Sequence, residues 1–218
     1  MKVIGYSIAV VLASLLLAFF TASTLEPGTQ IPVHWNIHGE IDNYADASWV
    51  LFGIPAFMTF MLVLNLVLKY IEPRVTHLQQ SRGAINILIF SILLFMFFLE
   101  IAFVFIANGY EVPMVKIVVA STGLLFVMMG NYFGKLRSNF FIGIKTPWTL
   151  SSDVVWQKTH RLAGKLAVGA GLITMAAIWF VEPVYAMVLV LGLLVPSLLI
   201  PVFYSWMLWN SLGKTGRH

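Results

Sequence analysis

The chain contains no cysteine, and only 10% of its 218 residues are Asp, Glu, Lys or Arg. The first absence excludes disulfides, thiolate nucleophiles and Cys-ligated zinc or iron–sulfur sites. The second excludes an ordinary soluble domain, which carries about 25% charged residues. Here 60% of residues are hydrophobic, too many to hide behind so few charges. Disorder fails for the same reason, because nothing in this composition prefers water to burial. Catalytic signatures are missing too: the sequence has no HExxH, no GxSxG and no pair of aspartates within its apolar runs. Internal repeats and low-complexity segments are likewise lacking.

What is present is a set of long apolar runs, at residues 3–21, 50–70, 84–107, 114–133, 166–181 and 185–209. A helical span needs about 20 such residues, so six spans joined by short loops use nearly the whole chain. None of the runs shows the period-2 alternation of a barrel strand. The first exceeds the apolar core of a cleaved signal peptide and is expected as a retained helix. The fold class expected is therefore an all-α integral membrane protein, a six-transmembrane helix bundle in a bacterial cytoplasmic (inner) membrane.

Loop charges orient it. With the N-terminus inside, Lys2, Lys69, Arg74, Arg82, Lys135, Arg137, Lys145, Lys158, Arg161, Lys165, Lys214 and Arg217 all face the cytoplasm, and only Lys116 lies nearer the outside. Glu26, Glu40, Asp42, Asp46, Glu111 and Glu182 fall outside. Both termini are then cytoplasmic. The net charge of +4 belongs to this membrane asymmetry, so no direct nucleic-acid binding is expected. The loop at 71–83 is short and is read as a plain connection between neighbouring helices.

Two connections are longer, and loops carry function more often than spans do. The outer one, residues 22–49, is expected as a small extracytoplasmic cap between helices 1 and 2. Ile31, Val33, Trp35 and Ile37 alternate as an extended segment does. His38-Gly39 is one turn signal and Asp42-Asn43 a second, while Trp35, Tyr44 and Trp49 suit a headgroup interface. His34, His38, Glu40 and Asp42 also resemble metal ligands. Pro32 and Gly39 argue against the helix that would bring the two histidines together, and on a strand they lie too far apart. A polar, hydrogen-bonded interfacial loop is the preferred reading, with no metal and no cofactor.

The inner connection, residues 134–165, is expected as a structured cytoplasmic loop between helices 4 and 5. Pro147 biases Thr146 away from helix. Ser151 or Ser152 can cap a new helix with Asp153 in its first turn, which then runs into the fifth span. Trp148, Trp156, Phe140 and Phe141 supply apolar anchors, and Lys145, Lys158 and Arg161 supply charge. An interfacial elbow that binds membrane lipids is the plain reading of this composition.

The order of residues says more. Asn139-Phe140-Phe141-Ile142-Gly143-Ile144-Lys145-Thr146-Pro147-Trp148-Thr149-Leu150, followed by Val155-Trp156-Gln157-Lys158-Thr159-His160-Arg161, resembles the signature of the SdpI family. These are multi-span bacterial membrane proteins named for an immunity protein against a secreted killing peptide. The outer stretch from Ile31 to Glu40 is similar to the module that accompanies the family's N-terminal half. The resemblance divides the chain into residues 1–83, two helices with the outer module, and residues 84–218, an SdpI-like four-helix part with the signature loop. It implies resistance to a secreted peptide toxin (SdpC-like) and signalling by holding a small cytoplasmic transcriptional repressor at the membrane. The toxin would then meet His34, Trp35, Asn36, His38, Gly39, Glu40, Asp42 and Tyr44. The repressor would meet Arg137, Asn139, Phe141, Gly143, Lys145, Thr146, Pro147, Trp148, Thr149, Trp156, Lys158, His160 and Arg161. Lys145 stands where the family motif also uses Arg, which keeps the charge but loses bidentate geometry.

Inside the spans, Glu100 and Lys116 lie on neighbouring runs joined by a short loop, at depths roughly 6 Å apart. They are read either as an ion pair or as a functional site. Asn65 and Asn131 can bond across helices, and Gly164, Gly169 and Gly171 let the fifth helix pack closely. Binding without chemistry fits best, and no catalytic residue is expected. The alternatives are a metal-assisted membrane enzyme using His34, His38 and Glu40, and a sensor or transporter for another ligand. Against transport stand the few ionisable residues in the spans and the lack of an evident discontinuous helix pair.

Overall fold

A computed structural model describes residues 2–215. Helix α1 (Lys2–Thr24) leads into an antiparallel hairpin of β1 (Gln30–Trp35) and β2 (Ile41–Asp46), and then α2 (Ala47–Ile71), α3 (Val75–Ala107) and α4 (Met114–Phe133). A short α5 (Pro147–Ser151) precedes α6 (Asp153–Ala177). The C-terminal run is interrupted: a 3-10 turn (Pro183–Tyr185), α7 (Ala186–Leu189), a π-helical turn (Val190–Leu194) and α8 (Val195–Thr215) follow one another. Arg217, counted above for orientation, lies outside the described residues.

Five helical stretches are long and apolar enough to cross a membrane: α1, α2, α3, α4 and the composite Pro183–Leu212. The run at 166–181, the remaining one of the six expected, is not among these five. That run forms the C-terminal part of α6, which ends at Ala177. The N-terminal part of α6 carries Asp153, Gln157, Lys158, His160, Arg161 and Lys165, so the helix as a whole is too polar. Helix α3 departs from expectation in the other direction. It has 33 residues, about 50 Å at 1.5 Å per residue, against a hydrocarbon core of about 30 Å. Its first turns occupy what hydropathy alone marks as the 71–83 connection.

Local chemistry sets the boundaries. Asp46 caps α2 by accepting a 2.8 Å hydrogen bond from the Ser48 amide. Ser152 caps α6 through the Val155 amide, with Asp153 in the first turn, as the sequence suggests. Thr146 caps the unanticipated α5 in a capping box with Thr149, and Pro147 opens that helix, where its missing N–H is harmless.

Val11, Met58, Leu62, Leu88, Leu93 and Trp156 share one core cluster, which ties α1, α2 and α3 to the start of α6. The closest backbone approach is between α4 and α6. A Cβ added at Gly123 would stand 2.7 Å from the Gly171 carbonyl, and one at Gly130 2.7 Å from that of Gly164. Small residues let membrane helices touch in this way. Gly164 and Gly171 pack as expected, whereas Gly169 faces open space.

Candidate functional site

The hairpin is closed by Asn36. Its Oδ1 accepts from the His38 and Glu40 amides at 2.9 and 3.0 Å, and its Nδ2 donates to Glu40 Oε2 at 2.9 Å. Gly39 turns the chain at φ +81, and a Cβ there would press within 3.0 Å of Pro183 Cβ. The hairpin tip thus rests on the 3-10 turn. The turn at His38-Gly39 stands, but Asp42-Asn43 is not a second one. Both residues lie in β2, where bulges beside His34 absorb the irregular register.

Those bulges bring His34 to Asp42, with Nδ1 2.6 Å from Oδ1, both side chains well exposed. His34 therefore pairs across the hairpin rather than with His38. Among the described residues no group of three His, Asp or Glu side chains is placed to hold a metal. Beneath this pair runs a groove of about 580 Å³. His34, Trp35, Asn36, Ile37 and Asp42 line one wall; Val115, Val119, Met187, Val190 and Leu191 line the other. Trp35 is half-buried, its ring 6.5 Å from that of Phe103. His38, Glu40 and Tyr44 stay outside the groove, and Tyr44 is exposed.

The signature loop is a second built region, and its residues are largely occupied with each other. Asn139 is fully buried: Oδ1 accepts from the amides of Phe141 and Ile142, and Nδ2 donates to the carbonyls of Arg137 and Ile142. Lys145 donates to the Phe140 and Phe141 carbonyls at 3.1 and 3.3 Å. Thr149, also buried, donates to the Ile144 carbonyl at 2.9 Å. Trp148 anchors α5 to α8 through a hydrogen bond from its indole N–H to the Ser205 hydroxyl. The Trp156 indole N–H donates to the Leu136 carbonyl at 2.8 Å.

His160 stacks on Trp156 with ring centroids 4.1 Å apart. Its Nε2 accepts from the Ile144 amide at 2.9 Å, and Nδ1 sits 2.8 Å from the Trp156 carbonyl. That pair of partners requires the neutral tautomer with its proton on Nδ1. Burial pushes the His160 pKa down to about 4, against a smaller upward pull from the Trp156 carbonyl. The ring is thus a neutral structural post at neutral pH. Gly143, at φ +126, lies against it, and a Cβ there would fall 2.4 Å from Nε2. Arg137, Phe141, Pro147, Lys158 and Arg161 point outward.

The segment treated above as a plain connection proves to be the loop's anchor. Buried Glu72 accepts from the Arg74 and Phe140 amides, both at 2.9 Å. The Arg74 guanidinium donates to the Ser138 hydroxyl and, at 2.9 Å, to the Leu150 carbonyl, and it lies 4.8 Å from the Phe140 ring centroid. The His77 ring bonds the Ser138 carbonyl, and the Ser81 hydroxyl accepts from the Arg137 amide. The available signal was Glu72, an acid standing among basic residues.

Within the spans, Glu100 is fully buried and accepts from the Ser14 hydroxyl of α1. No ion pair joins it to Lys116 among the described residues, which corrects the pairing considered above. Asn65 does bond across helices, donating to Asn86 at 3.2 Å. Asn131 does not: it is exposed and donates to the Val127 carbonyl of its own helix.

Residues 135–205 match the SdpI/YfhL protein family, and residues 9–59 match a domain of unknown function (DUF1648). The chain is 24% identical over 184 residues to the Immunity protein SdpI of Bacillus subtilis (strain 168), covering 84% of this chain and 86% of that protein. No solved structure matches. The resemblance carried by the signature loop thus holds, and with several span-length apolar helices the chain is a multi-pass membrane protein.

Proposed function

We propose that this chain is a membrane immunity protein that captures a secreted peptide toxin in the groove beneath its hairpin. The observation that carries this reading is the groove itself: an apolar trench of about 580 Å³ between the hairpin and the helices beneath it, rimmed by the exposed His34–Asp42 pair. Its size lies in the range of small-ligand pockets, about 300–1,000 Å³. It takes a few side chains of a peptide that lies across it rather than the whole molecule. Glu26, Glu40 and Asp42 are exposed around the hairpin and favour a cationic, amphipathic ligand. The likeness to a protein named for immunity supports the same reading. No catalytic step is part of it.

The test is survival of a sensitive host challenged with the toxin. Asp42→Ala and the groove-filling Met187→Trp are expected to lose protection while reaching the membrane at normal levels. Full protection by both variants would refute capture at this groove.

Capture is coupled, in this reading, to the signature loop on the cytoplasmic face, which holds a small repressor through the outward residues Arg137, Phe141 and Lys158. The toxin must bind one arrangement of the bundle more tightly than the other, since equal affinity shifts nothing. Arg137→Ala with Lys158→Ala is expected to abolish induction of a reporter and leave resistance intact. Unchanged induction would remove this loop from the signalling role.

A further inference from the structure

Beside the crossing of α4 and α6 lies a recess of about 450 Å³ with a glycine floor, made by Gly130, Gly134 and Gly164. These positions have little room for anything larger. A Cβ at Gly164 would stand 2.5 Å from the Gly130 carbonyl, and one at Gly134 3.2 Å from Arg161 Cγ. The glycines bring the two backbones together, and the recess runs along the edge of that crossing. Its walls are Asn131, Val168, Arg161 and Lys165.

Arg161 and Lys165 are four apart on α6, so they stand one above the other on the same face. Both are exposed, and among the described residues neither has a carboxylate partner. On the other side of Asn131 an apolar groove of about 520 Å³ runs between α1, α3 and α4. Tyr6, Phe90, Val127 and Tyr132 line it, and Lys135 closes its end, with Nζ 4.3 Å from the Tyr132 ring centroid. Three cations therefore gather where the apolar helix α4 ends at Phe133. The carbonyl end of a helix carries only about half a negative charge. One cation would offset it, and the rest of the positive charge is unmet.

An anion that also has apolar chains satisfies both halves of this arrangement; a free phosphate would leave the groove empty. We propose that Arg161 and Lys165 hold the phosphate of an anionic phospholipid, with Lys135 as a third contact and an acyl chain in the groove beyond Asn131. Basic pockets between membrane helices at the cytoplasmic headgroup level bind such lipids by the same logic. The site is separate from the hairpin groove, and it stands or falls independently of toxin capture.

The experiment uses the full chain purified in a neutral detergent, with bound lipid counted by native mass spectrometry. Phosphatidylglycerol is compared with phosphatidylcholine at equal concentration. The wild type is expected to retain phosphatidylglycerol with a preference of about tenfold or more, consistent with two charge-assisted contacts. Arg161→Gln with Lys165→Gln is expected to erase that preference, while Lys158→Gln, on the same helix but outside the recess, keeps it. Should the double variant not fold, Lys165→Gln alone, a surface change, is expected to lose a large part of the preference. An undiminished preference in the variants would overturn the proposal. So would displacement of the lipid by inorganic phosphate at matched concentration, which would mean a plain anion site, or tighter binding of an acidic peptide than of the lipid.

Discussion

Acidification should loosen the signature loop, because its post must stay neutral to do its work. His160 is fully buried, and its two ring nitrogens are matched to one donor and one acceptor. Its pKa falls from 6.5 in the free side chain to about 4 in the folded protein. A depressed histidine pKa means that the open form takes up the proton first. Between pH 6.5 and pH 4 the open form therefore binds more protons than the closed one, and stability falls with pH across that window. Each pH unit in it is worth about 1.4 kcal/mol. Lowering the pH from 7.5 to 5 should destabilise the closed loop by about 2 kcal/mol, a roughly thirtyfold rise in the open population. Hydrogen–deuterium exchange of peptides spanning 139–150, corrected for the intrinsic pH dependence of exchange, reads this directly. The Ile144 amide is the most telling reporter, since its acceptor is the ring nitrogen that would be protonated. His160→Gln, which cannot titrate, should show no such slope. Equal corrected protection at the two pH values in the wild type would refute the assignment of His160 as a neutral, closed-state partner.

Gly143→Ala should destabilise the protein by about 2 kcal/mol or more, since it adds left-handed strain to a collision with His160 Nε2. Gly169→Ala, which meets open space in the interior of α6, should hold or raise Tm in the same thermal unfolding series. Glu72→Gln replaces one of two carboxylate acceptors with an N–H donor facing a backbone amide, a loss of about 1–3 kcal/mol. Limited proteolysis between residues 135 and 145 should accelerate, and an unchanged cleavage rate would mean that Glu72 does not hold the loop.

The spans were legible because long apolar runs have few other fates. What hydropathy could not see was helix beyond the bilayer. The first turns of α3 are polar and face the loop, so only tertiary bonds from Ser81 and His77 reveal that they are ordered. The apolar run at 166–181 does not stand alone either, since it continues the polar first half of α6. In the hairpin, alternation marked β1, but Asp42-Asn43 carried a turn composition inside β2, and the bulge beside His34 that tolerates it leaves no sequence trace. Gly164 and Gly171 were visible as a spacing. Their partners Gly123 and Gly130 share that spacing on α4, and matching the two sets would have located the tightest crossing. The ion pair between Glu100 and Lys116 failed because a loop length constrains depth and not rotation: Glu100 turns toward α1 instead.

The signature loop shows why a motif's residues and its working surface need not coincide. Asn139, Thr149, Trp156 and His160 are buried, and their polar atoms bond within the loop or its anchors. Gly143 is held to glycine by the ring it packs on, and Trp148 by a bond to α8 ties the loop to the C-terminal helix. Replacing any of these alters the loop's shape before it alters a contact. A loss of signalling in Trp148→Ala would therefore report α5 leaving α8, whatever the loop touches. Arg137 differs, because only its backbone is used internally, by Ser81 and Asn139, and its side chain is free to meet a partner. Lys158 is exposed on the face of α6 away from the core. Substitutions at these two positions leave the scaffold bonds in place, so they separate recognition from folding where the buried motif residues cannot.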